Sequence, residues 1–338
     1  MIYINGRFLT QKVTGIQRFA IEVVKKMDDM IENDITILCP SVNLVTNLEL
    51  KHIKLLKIGK LKGHMWEQIS LPLYVKKYKG KLLNLGILGP IIYPGYVVMH
   101  DISFKTNSKH LDWKFCLWYK FVTKLNIKRY NHVFTVSNFS KKEILENYNI
   151  SEKKITVVPN SANHMYDIFP DNNILKKYNL KKNSYYFSLG SNSLHKNFQY
   201  IYELAKRYPS EKFVVTGNNN TKVFGNNLNK SLDNLIYTGY LKDDELASLY
   251  SNCKAFIFPS LYEGFGIPPL EAVIMGCKHL ILSNIDVLRE VYGDNAVYAD
   301  TLKEFRLPEK MVEVKTDELI KKYSWDIAAR LILEKISK

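Results

Sequence analysis

The chain has 338 residues, of which 46% are hydrophobic, and its formal net charge is +15. This length allows one large or two medium domains, and this charge favours anionic partners such as nucleic acid, acidic lipid or a phosphorylated ligand. The four cysteines form no CxxC pair, which argues against a zinc site or a disulfide framework and favours a reducing compartment. Arg7 follows too short an apolar run for a signal peptide, and glycines and prolines between Leu82 and Met99 argue against a spanning helix there.

The first half of the chain alternates short β-branched runs with helical patterns. A strand is predicted at Ile2–Ile4, and a helix with one apolar stripe follows it. The stripe consists of Ile16, Phe19, Ala20, Val23, Val24 and Met27. Further buried strands are predicted to begin at Ile35, Val97, Val133 and Ile155. Helices are predicted over Trp113–Arg129 and Lys141–Tyr148.

The second half repeats this alternation from Tyr185 onward. Apolar strands are predicted in the segments YYFSLGS, FVVTGN, LIYTGYL, AFIFPS, HLILS and VYAD. Continuous apolar strands joined by helices indicate parallel sheets, and two such series indicate two doubly wound domains joined in the polar segment Asn163–Lys182. Because parallel α/β sheets bind ligands beyond the carboxyl ends of their strands, functional residues are expected just after these segments.

Two loops of the second series have a composition that suits phosphate. In SLGSNSLHKNF, Gly190 and Ser191 leave a strand, and Lys196 leads into a helix whose free N–H groups favour an anion. Gly217 follows the next strand of the series. An ordinary strand–helix turn with a solvated lysine explains the same residues, and the sequence does not decide between this interpretation and a phosphate site.

The first series contributes a histidine and a glycine. His100 follows the strand VVM, where it can donate a hydrogen bond or act as an acid or base, although a structural role is the commoner one for a lone histidine. Gly15 opens the first helix, where a glycine lets a ligand approach the backbone closely. This turn lacks GxGxxG, which argues against a dinucleotide-dependent dehydrogenase.

The helix predicted over Trp113–Arg129 mixes aromatic and basic side chains. Its members of both kinds are Trp113, Phe115, Trp118, Tyr119 and Phe121 with Lys114, Lys120, Lys124, Lys128 and Arg129. The mixture suits a membrane interface with anionic lipid, and it also suits nucleic acid. A buried amphipathic helix with a solvated lysine face is the third interpretation, and the sequence does not decide among the three.

The stretch SLYEGFGIPPLE places Glu263 and Glu271 around two glycines and two prolines. The prolines are well placed to begin a helix, which predicts that Glu271 lies in its first turn and Glu263 in the loop before it. A carboxylate is a bidentate acceptor that suits the paired hydroxyls of a ribose or a sugar ring. The helix dipole explains Glu271 by itself, but it explains neither Glu263 nor the glycines.

Over essentially its whole length the chain resembles the family-4 glycosyltransferases of the GT-B fold, which are retaining and use nucleotide sugars. The most specific match is E-x7-E, formed here by Glu263 and Glu271, and the supporting matches are TGIQRFAIEVV, VVMHDISF, TVSNFSKKEI, VVPNS and YSWDIAA. The resemblance implies two Rossmann-like, doubly wound parallel-sheet domains facing a central cleft. An acceptor domain would span residues 1–165, completed by a C-terminal helix at 325–338, and a donor domain would span residues 166–324.

The resemblance also implies a role for each matched residue. Glu271 would hold the ribose hydroxyls of the donor, Glu263 would lie against its sugar and diphosphate, and Lys196 would neutralise the departing diphosphate. His100 would contact the sugar at the reacting centre, so that His100, Lys196 and Glu263 are the predicted catalytic residues. The further predicted donor-binding residues are Gly15, Gly190, Ser191, His195, Gly217, Gly264, Phe265, Gly266 and Ile267.

Two positions depart from the family pattern. His195 stands where an arginine is common, so His195 or Arg18 is left to complete the phosphate clamp. Asn160-Ser161 replaces the usual Asn-Gly after VVPN. No metal and no cofactor are expected besides the nucleotide sugar, because the resemblance assigns the charge of the leaving phosphate to Lys196 and helix-terminal N–H groups.

The implied reaction moves a sugar from a UDP-, GDP- or dTDP-linked donor to an acceptor hydroxyl with retention, in capsule or O-antigen synthesis. The expected acceptor is an oligosaccharide on a lipid diphosphate. This predicts a cytoplasmic protein held peripherally on the anionic inner face of the plasma membrane, without a nucleic-acid partner. The alternatives are a nucleotide-sugar epimerase or phosphorylase of the same fold, and a non-enzymatic basic protein that binds membrane or nucleic acid.

Overall fold

The structure, a computed structural model, describes residues 1–31, 34–108, 111–190, 194–217 and 232–337. The chain divides into two compact units: one consists of Met1–Asn160 with Ser324–Lys338, and the other of Ser161–Tyr323. The sequence predicts the changes of unit after residues 165 and 324. The first change therefore lies a few residues earlier than predicted, ahead of the polar segment.

Within its described residues, the first unit contains a seven-stranded, all-parallel sheet. Its strands are β1 (Ile2–Asn5), β2 (Ile35–Pro40), β3 (Lys54–Ile58), β4 (Lys81–Asn84), β5 (Tyr96–Val98), β6 (His132–Thr135) and β7 (Ile155–Val157). They lie in the order β3-β2-β1-β4-β5-β6-β7. The chain thus builds outward from β1 to β3 and then returns to the other side of β1, so the strand order reverses between β1 and β4.

Helices cover this sheet where the sequence carries a helical apolar stripe. They are α1 (Gly15–Met30), α2 (Gly63–Met65), α3 (Leu71–Lys77), α4 (Ser103–Thr106), α5 (Trp113–Asn126) and α6 (Asn138–Asn147). A capping box of Thr14 and Gln17 begins α1, whose side chains Phe19, Val23 and Met27 are fully buried. The segment Trp66–Ser70, which joins α2 to α3, is π-helical.

The second unit contains a six-stranded parallel sheet in the part of the chain that is described. Its strands are β8 (Tyr185–Leu189), β9 (Lys212–Thr216), β10 (Leu235–Gly239), β11 (Ala255–Phe258), β12 (Leu280–Ser283) and β13 (Val297–Ala299). Their order is β10-β9-β8-β11-β12-β13. Here the strand order reverses between β8 and β11, which pair with Tyr186 opposite Ala255.

Along the chain, helices alternate with the strands of the second unit, and the last helix belongs to the first unit. These helices are α7 (Asn173–Lys177), α8 (Phe198–Arg207), α9 (Asp243–Asn252), α10 (Ile267–Ile274), α11 (Asp286–Tyr292), α12 (Thr316–Lys322) and α13 (Trp325–Ser337). The ring of Trp325 in α13 packs edge-on against Phe19 of α1, with centroids 5.8 Å apart. Lys26 of α1 pairs with Asp326 at 3.5 Å. These contacts attach α13 to α1.

The strands that the sequence predicts all form, but β3 and β4 were not predicted. β3 lies at the edge of its sheet, and four of its five residues are exposed, so its run of leucines and lysines gives no buried pattern. β4 is only four residues long and is followed within two residues by Gly86, so the apolar stretch around it does not predict a continuous strand. Burial between two neighbouring strands, rather than local propensity, forms β4.

The four cysteines, which the sequence shows without a CxxC pair, are all buried free thiols. Two of them nevertheless lie close together in space, because the residues just before β11 and just after α10 meet. The Sγ atoms of Cys253 and Cys277 are 3.5 Å apart. Spacing along the chain gives no indication of this contact.

Acid is expected to destabilise the first unit through its buried histidines. Burial lowers the pKa of His132 from 6.5 to about 4, and Lys335 and Lys154 lower it further in the same direction. Because the unfolded chain takes up this proton first as the pH falls, the free energy of unfolding should decrease by up to about 1.4 kcal/mol per pH unit between pH 6.5 and 4. Burial lowers the pKa of His100 as well, which adds to the same trend.

Denaturant unfolding followed by tryptophan fluorescence reports this effect for the first unit. All four tryptophans, Trp66, Trp113, Trp118 and Trp325, lie in the first unit. His132→Gln should flatten the pH dependence by one proton in this window. Equal slopes for His132→Gln and the wild type would contradict the prediction.

Candidate functional site

Two predicted site residues meet where the strand order of the second unit reverses. Lys196 follows β8 and Glu263 follows β11, and Nζ of Lys196 lies 2.5 Å from Oε1 of Glu263. Their side chains are 21% and 14% exposed, and the ammonium also lies 5.0 Å from the centre of the Phe258 ring. An ammonium and a carboxylate fixed side by side at this edge can contact a phosphate and a hydroxyl of one ligand.

Hydrogen bonds to backbone carbonyls hold the two loops that carry this pair. The amide of Leu261 donates to the carbonyl of His195 at 2.7 Å, which joins the loop after β11 to the loop after β8. The hydroxyl of Ser283, at the end of β12, donates to the carbonyl of Ser260 at 2.6 Å. His195 itself is half-buried beside Lys196. The ion pair therefore rests on loops that are tied to three neighbouring strands.

Glu271 lies on α10, and two side chains outside the motif hold its carboxylate. Nε2 of His164 lies 3.2 Å from Oε1, and the hydroxyl of Tyr250 donates to Oε2 at 3.2 Å. Burial raises the pKa of Tyr250 well above its ordinary value, and the charge of Glu271 raises it further, so Tyr250 keeps its proton. The expectation that Glu271 lies in the first turn is wrong, because α10 begins at Ile267. Side-chain contacts, rather than the start of the helix, position this carboxylate.

The segment between the two glutamates packs against the interior of the second unit. Phe265 is buried and meets the ring of Tyr323 edge-on at 5.1 Å, and Ile267 is buried as well. Gly266 has φ of +87°, a conformation that residues with a Cβ rarely adopt, and a Cβ there would also lie 2.7 Å from Cδ2 of Leu288, so glycine is strongly favoured. Tyr292 donates to the carbonyl of Gly266 at 2.5 Å. Gly264, next to Glu263, is half-buried.

The charges of both glutamates affect the pKa of the buried Tyr292. Burial raises its pKa well above the ordinary value, Tyr323 raises it further, and Glu271 and Glu263 add smaller contributions. Both carboxylates thus contribute to the electrostatics of this buried phenol, although they hold different partners.

Gly190 and Gly217 bring the ends of β8 and β9 close together. The amide of Gly190 donates to the carbonyl of Thr216 at 2.7 Å, and a Cβ on Gly217 would lie 2.5 Å from the carbonyl oxygen of Gly190. Close packing of the strand ends thus accounts for both glycines at this edge. Ser191, the remaining predicted residue of this loop, lies outside the described residues.

The other predicted residues, His100, Gly15 and Arg18, belong to the first unit. His100 is buried after β5, where its Nε2 donates to the carbonyl of Leu85 at 3.0 Å and its ring packs edge-on against Phe19. Burial lowers its pKa, so the imidazole is neutral at pH 7. Gly15 is exposed at the start of α1, and Arg18 lies 3.8 Å from Glu22 one turn further on.

The sequence reasoning missed His164 and Tyr250, which hold Glu271. His164 follows the position where Asn160-Ser161 departs from the family pattern, and no motif marks it. Ser161 contributes to the local structure there by donating to the carbonyl of Tyr323 at 3.0 Å. Tyr250 lies on α9 among apolar residues and reads as a core residue, which its complete burial supports. Among the described residues, no group of three or more metal-ligating side chains is close enough to hold a metal ion.

Comparison with known proteins associates the second unit with a family. Residues 171–330 match the family described as Glycosyl transferases group 1. The O-antigen chain mannosyltransferase RfbU of Salmonella typhimurium (strain LT2) is 31% identical over 196 residues, which are 54% of this chain and 51% of RfbU. The serotype-specific mannosyltransferase WbdA of Escherichia coli is 29% identical over 235 residues, which are 61% of this chain and 29% of WbdA. The chain thus spans about half the length of RfbU and less than a third of WbdA.

A solved structure extends the likeness to the whole chain. Anabaena Alr3699/HepE, in complex with UDP and glucose, matches with a TM-score of 0.66 at 14% identity, covering 100% of this chain and 99% of that one. The two parallel α/β units and this likeness confirm the predicted GT-B fold. Residues 171–330 therefore carry the similarity to Glycosyl transferases group 1, and the chain as a whole has the GT-B fold.

Proposed function

We propose that this chain is a glycosyltransferase of family 4 that moves a hexose from a nucleotide sugar to an acceptor hydroxyl with retention. The observation that carries the proposal is the Lys196–Glu263 pair where the strand order of the second sheet reverses, with Glu271 held by His164 and Tyr250 beyond it. Parallel α/β sheets bind ligands at such reversals. The match of residues 171–330 to Glycosyl transferases group 1 supports the same reaction.

Each of the three side chains has a task that its surroundings suit. The ammonium of Lys196 stabilises the negative charge that builds on the departing diphosphate. Glu271 offers the fixed carboxylate that accepts hydrogen bonds from the two ribose hydroxyls. Glu263 contacts the donor sugar while it remains paired with Lys196, and this pairing makes it a weak nucleophile. We therefore favour attack by the acceptor hydroxyl on the anomeric carbon from the face that the diphosphate leaves. The departing phosphate oxygen takes the proton of that hydroxyl, and no covalent sugar–enzyme intermediate forms.

The donor proposed first is GDP-mannose. RfbU is named an O-antigen chain mannosyltransferase and WbdA a serotype-specific mannosyltransferase, which supports a mannosyl donor and a role in surface polysaccharide assembly. The structural match with UDP and glucose bound keeps UDP-linked sugars among the donors to test, and dTDP-linked sugars belong with them. The proposed acceptor is an oligosaccharide on a lipid diphosphate, and no metal ion is proposed to take part.

Nucleotide binding and product analysis test the proposed function. A ligand that binds the folded state raises the apparent melting temperature, so a panel of GDP, UDP, dTDP and ADP should give one clear shift. The matching nucleotide sugar should then yield a glycoside with the anomeric configuration of the donor, seen by NMR. Products formed without an acceptor would favour an epimerase or a hydrolase, and dependence on inorganic phosphate would favour a phosphorylase. No shift with any nucleotide would contradict the proposal.

A peripheral position on an anionic membrane is part of the same proposal, and α5 supports it. The exposed face of α5 carries large apolar side chains one turn apart, which we call the outer stripe: Trp113, Leu117, Phe121 and Leu125, with exposed fractions of 68%, 62%, 51% and 40%. Lys114, Lys120 and Lys124 are exposed beside them. An apolar stripe flanked by lysines suits a helix lying in the headgroup region of a bilayer. Among the described residues, no helix is long and apolar enough to span a bilayer.

Removing the outer stripe should release the protein from anionic vesicles. Leu117→Ser with Phe121→Ser should lower the vesicle partition coefficient on the order of a hundredfold or more, because two large apolar side chains no longer leave water. Sedimentation with vesicles of mixed anionic and zwitterionic lipid measures this, and rising salt should weaken the lysine contribution. Leu302→Ser, equally exposed on the second unit, is the matched control. If wild-type protein ignores anionic vesicles at low salt, the membrane proposal is wrong; binding to oligonucleotides instead would favour the non-enzymatic alternative.

A further inference from the structure

A buried polar network lies where the strand order of the first sheet reverses. Asn5 ends β1 and Asn84 ends β4, and Nδ2 of Asn5 donates to Oδ1 of Asn84 at 3.0 Å. The same Nδ2 donates to Oε1 of Glu67 at 2.9 Å. Asn84 in turn donates to the carbonyls of Pro94 and Tyr96. The two asparagines thus fix the carboxylate of Glu67 at the edge where a parallel sheet binds its ligand.

Arg7 and His64 carry this network from the interior to the surface. Nη1 of Arg7 and Nδ1 of His64 lie 2.9 Å and 3.3 Å from Oε2 of Glu67. The exposed fraction rises from 6% for Glu67 to 18% for Arg7 and 42% for His64. Burial would raise the pKa of Glu67, but the hydrogen bonds from His64 and Asn5 and the charge of Arg7 outweigh it and lower the pKa. The ionised carboxylate therefore balances the charge of Arg7.

Two aromatic rings of α5 stand beside the outer end of the network. The ring centres of Trp118 and Tyr119 lie 6.0 Å and 6.4 Å from that of His64. Burial raises the pKa of Tyr119 and the nearby charge of Arg7 opposes that rise, and Phe115 stacks on the Tyr119 ring at 3.9 Å. In the described part of the chain, the buried indole N–H of Trp118 has no hydrogen-bond partner. A rigid set of polar groups is thus combined with aromatic surface.

The backbone that carries Glu67 is itself unusual. Glu67 lies in the π-helical segment Trp66–Ser70, and π-helical turns are rare and frequently occur at functional sites. The indole of Trp66 is fully buried and donates to the carbonyl of Ile58 at 2.8 Å, which anchors the segment on the core. The irregular turn is therefore anchored at the end of β3, and Glu67 reaches from it to Asn5 at the end of β1.

We propose that the network of Arg7, His64 and Tyr119 binds one neutral pyranose ring of the acceptor. Guanidinium, imidazole and phenol groups at fixed positions suit ring hydroxyls, and the neighbouring aromatic rings suit the apolar face of a sugar. Because Glu67 balances Arg7, the network favours a neutral ligand over a phosphate. This inference rests on the proposed glycosyl transfer, and it adds which side chains of the first unit contact a sugar of the acceptor.

Saturation-transfer NMR on the full chain tests the proposal with the methyl α-pyranosides of mannose, glucose and galactose as probes. Tyr119→Phe removes one hydroxyl and keeps the ring stacked on Phe115. We expect it to weaken the binding of the preferred probe about fivefold, the effect of losing one neutral hydrogen bond. His64→Ala should act in the same direction. The matched controls are Tyr78→Phe and His52→Ala, which alter exposed side chains of the same unit and should leave binding unchanged.

Glu263→Gln separates this site from the donor site of the second unit. Probe binding that survives in Glu263→Gln and weakens in Tyr119→Phe supports the inference. Binding that is equal in Tyr119→Phe and the wild type overturns it, as does displacement of the probe by inorganic phosphate, or no binding of any of the three probes. GDP and UDP binding is measured in parallel. A wild-type protein that binds neither nucleotide contradicts the proposed function, whereas normal nucleotide binding with unaltered sugar binding contradicts this inference alone.

Discussion

Lys196→Ala is expected to lower kcat on the order of a hundredfold to a thousandfold, with a small change in the KM for the donor. Its ammonium is placed to stabilise charge that exists only as the diphosphate departs, and one such interaction contributes about that much to a rate. The partly buried position beside Glu263 and over the Phe258 ring strengthens this electrostatic interaction. Steady-state nucleoside diphosphate release, measured over a range of donor concentrations, separates kcat from KM.

Two companion variants make this result specific. Lys303→Ala removes a lysine of the same unit that is 82% exposed, and it should leave kcat unchanged. Lys196→Arg keeps the charge but replaces the compact ammonium by a planar fork, and it should recover part of the lost rate. A Lys196→Ala enzyme with a normal kcat and a raised KM would show that Lys196 only binds the donor, contrary to the assigned role.

Glu271→Ala is expected to raise the Kd for the nucleoside diphosphate on the order of a hundredfold and to change kcat much less. The carboxylate offers two oxygens to the two ribose hydroxyls, and hydrogen bonds to a charged group contribute about 1.5–3 kcal/mol each. His164 and Tyr250 hold this carboxylate in place, so it has little orientational freedom to lose on binding. Isothermal titration with the nucleotide chosen from the thermal-shift panel gives the Kd directly.

The shape of the Glu271 site can be kept while its charge is removed. Glu271→Gln keeps one acceptor oxygen for His164 or Tyr250, while the other contact must reverse its donor, and it should raise the Kd only about tenfold. Glu309→Ala, an exposed glutamate of the same unit, should have no effect. Tyr250→Phe should weaken nucleotide binding in the same direction if it positions the carboxylate. A normal Kd in both Glu271 variants would remove Glu271 from the donor site.

The candidate site was predictable from sequence in its components but not in its contacts. The motif from Glu263 to Glu271, the loop to Lys196 and the strands before them are all visible as local patterns. The pairing of Lys196 with Glu263 joins residues 67 positions apart, and it exists because β8 and β11 are neighbours in the sheet. Likewise, His164 and Tyr250 meet Glu271 from separate elements, and neither belongs to a motif.

By itself, the sequence determined the fold class, most strands, the stripe of α1 and the residue types of the donor site. These features follow from periodicity, turn residues and composition, which act over a few neighbouring positions. The tertiary structure decided which strands are central, where β3 and β4 fit, and that α5 carries its outer stripe on the exposed face. It also decided which charges pair: Lys196 with Glu263, and Arg7 with Glu67. The reason is physical, because a side chain's partners depend on strand order and burial, which form only when distant parts of the chain pack together.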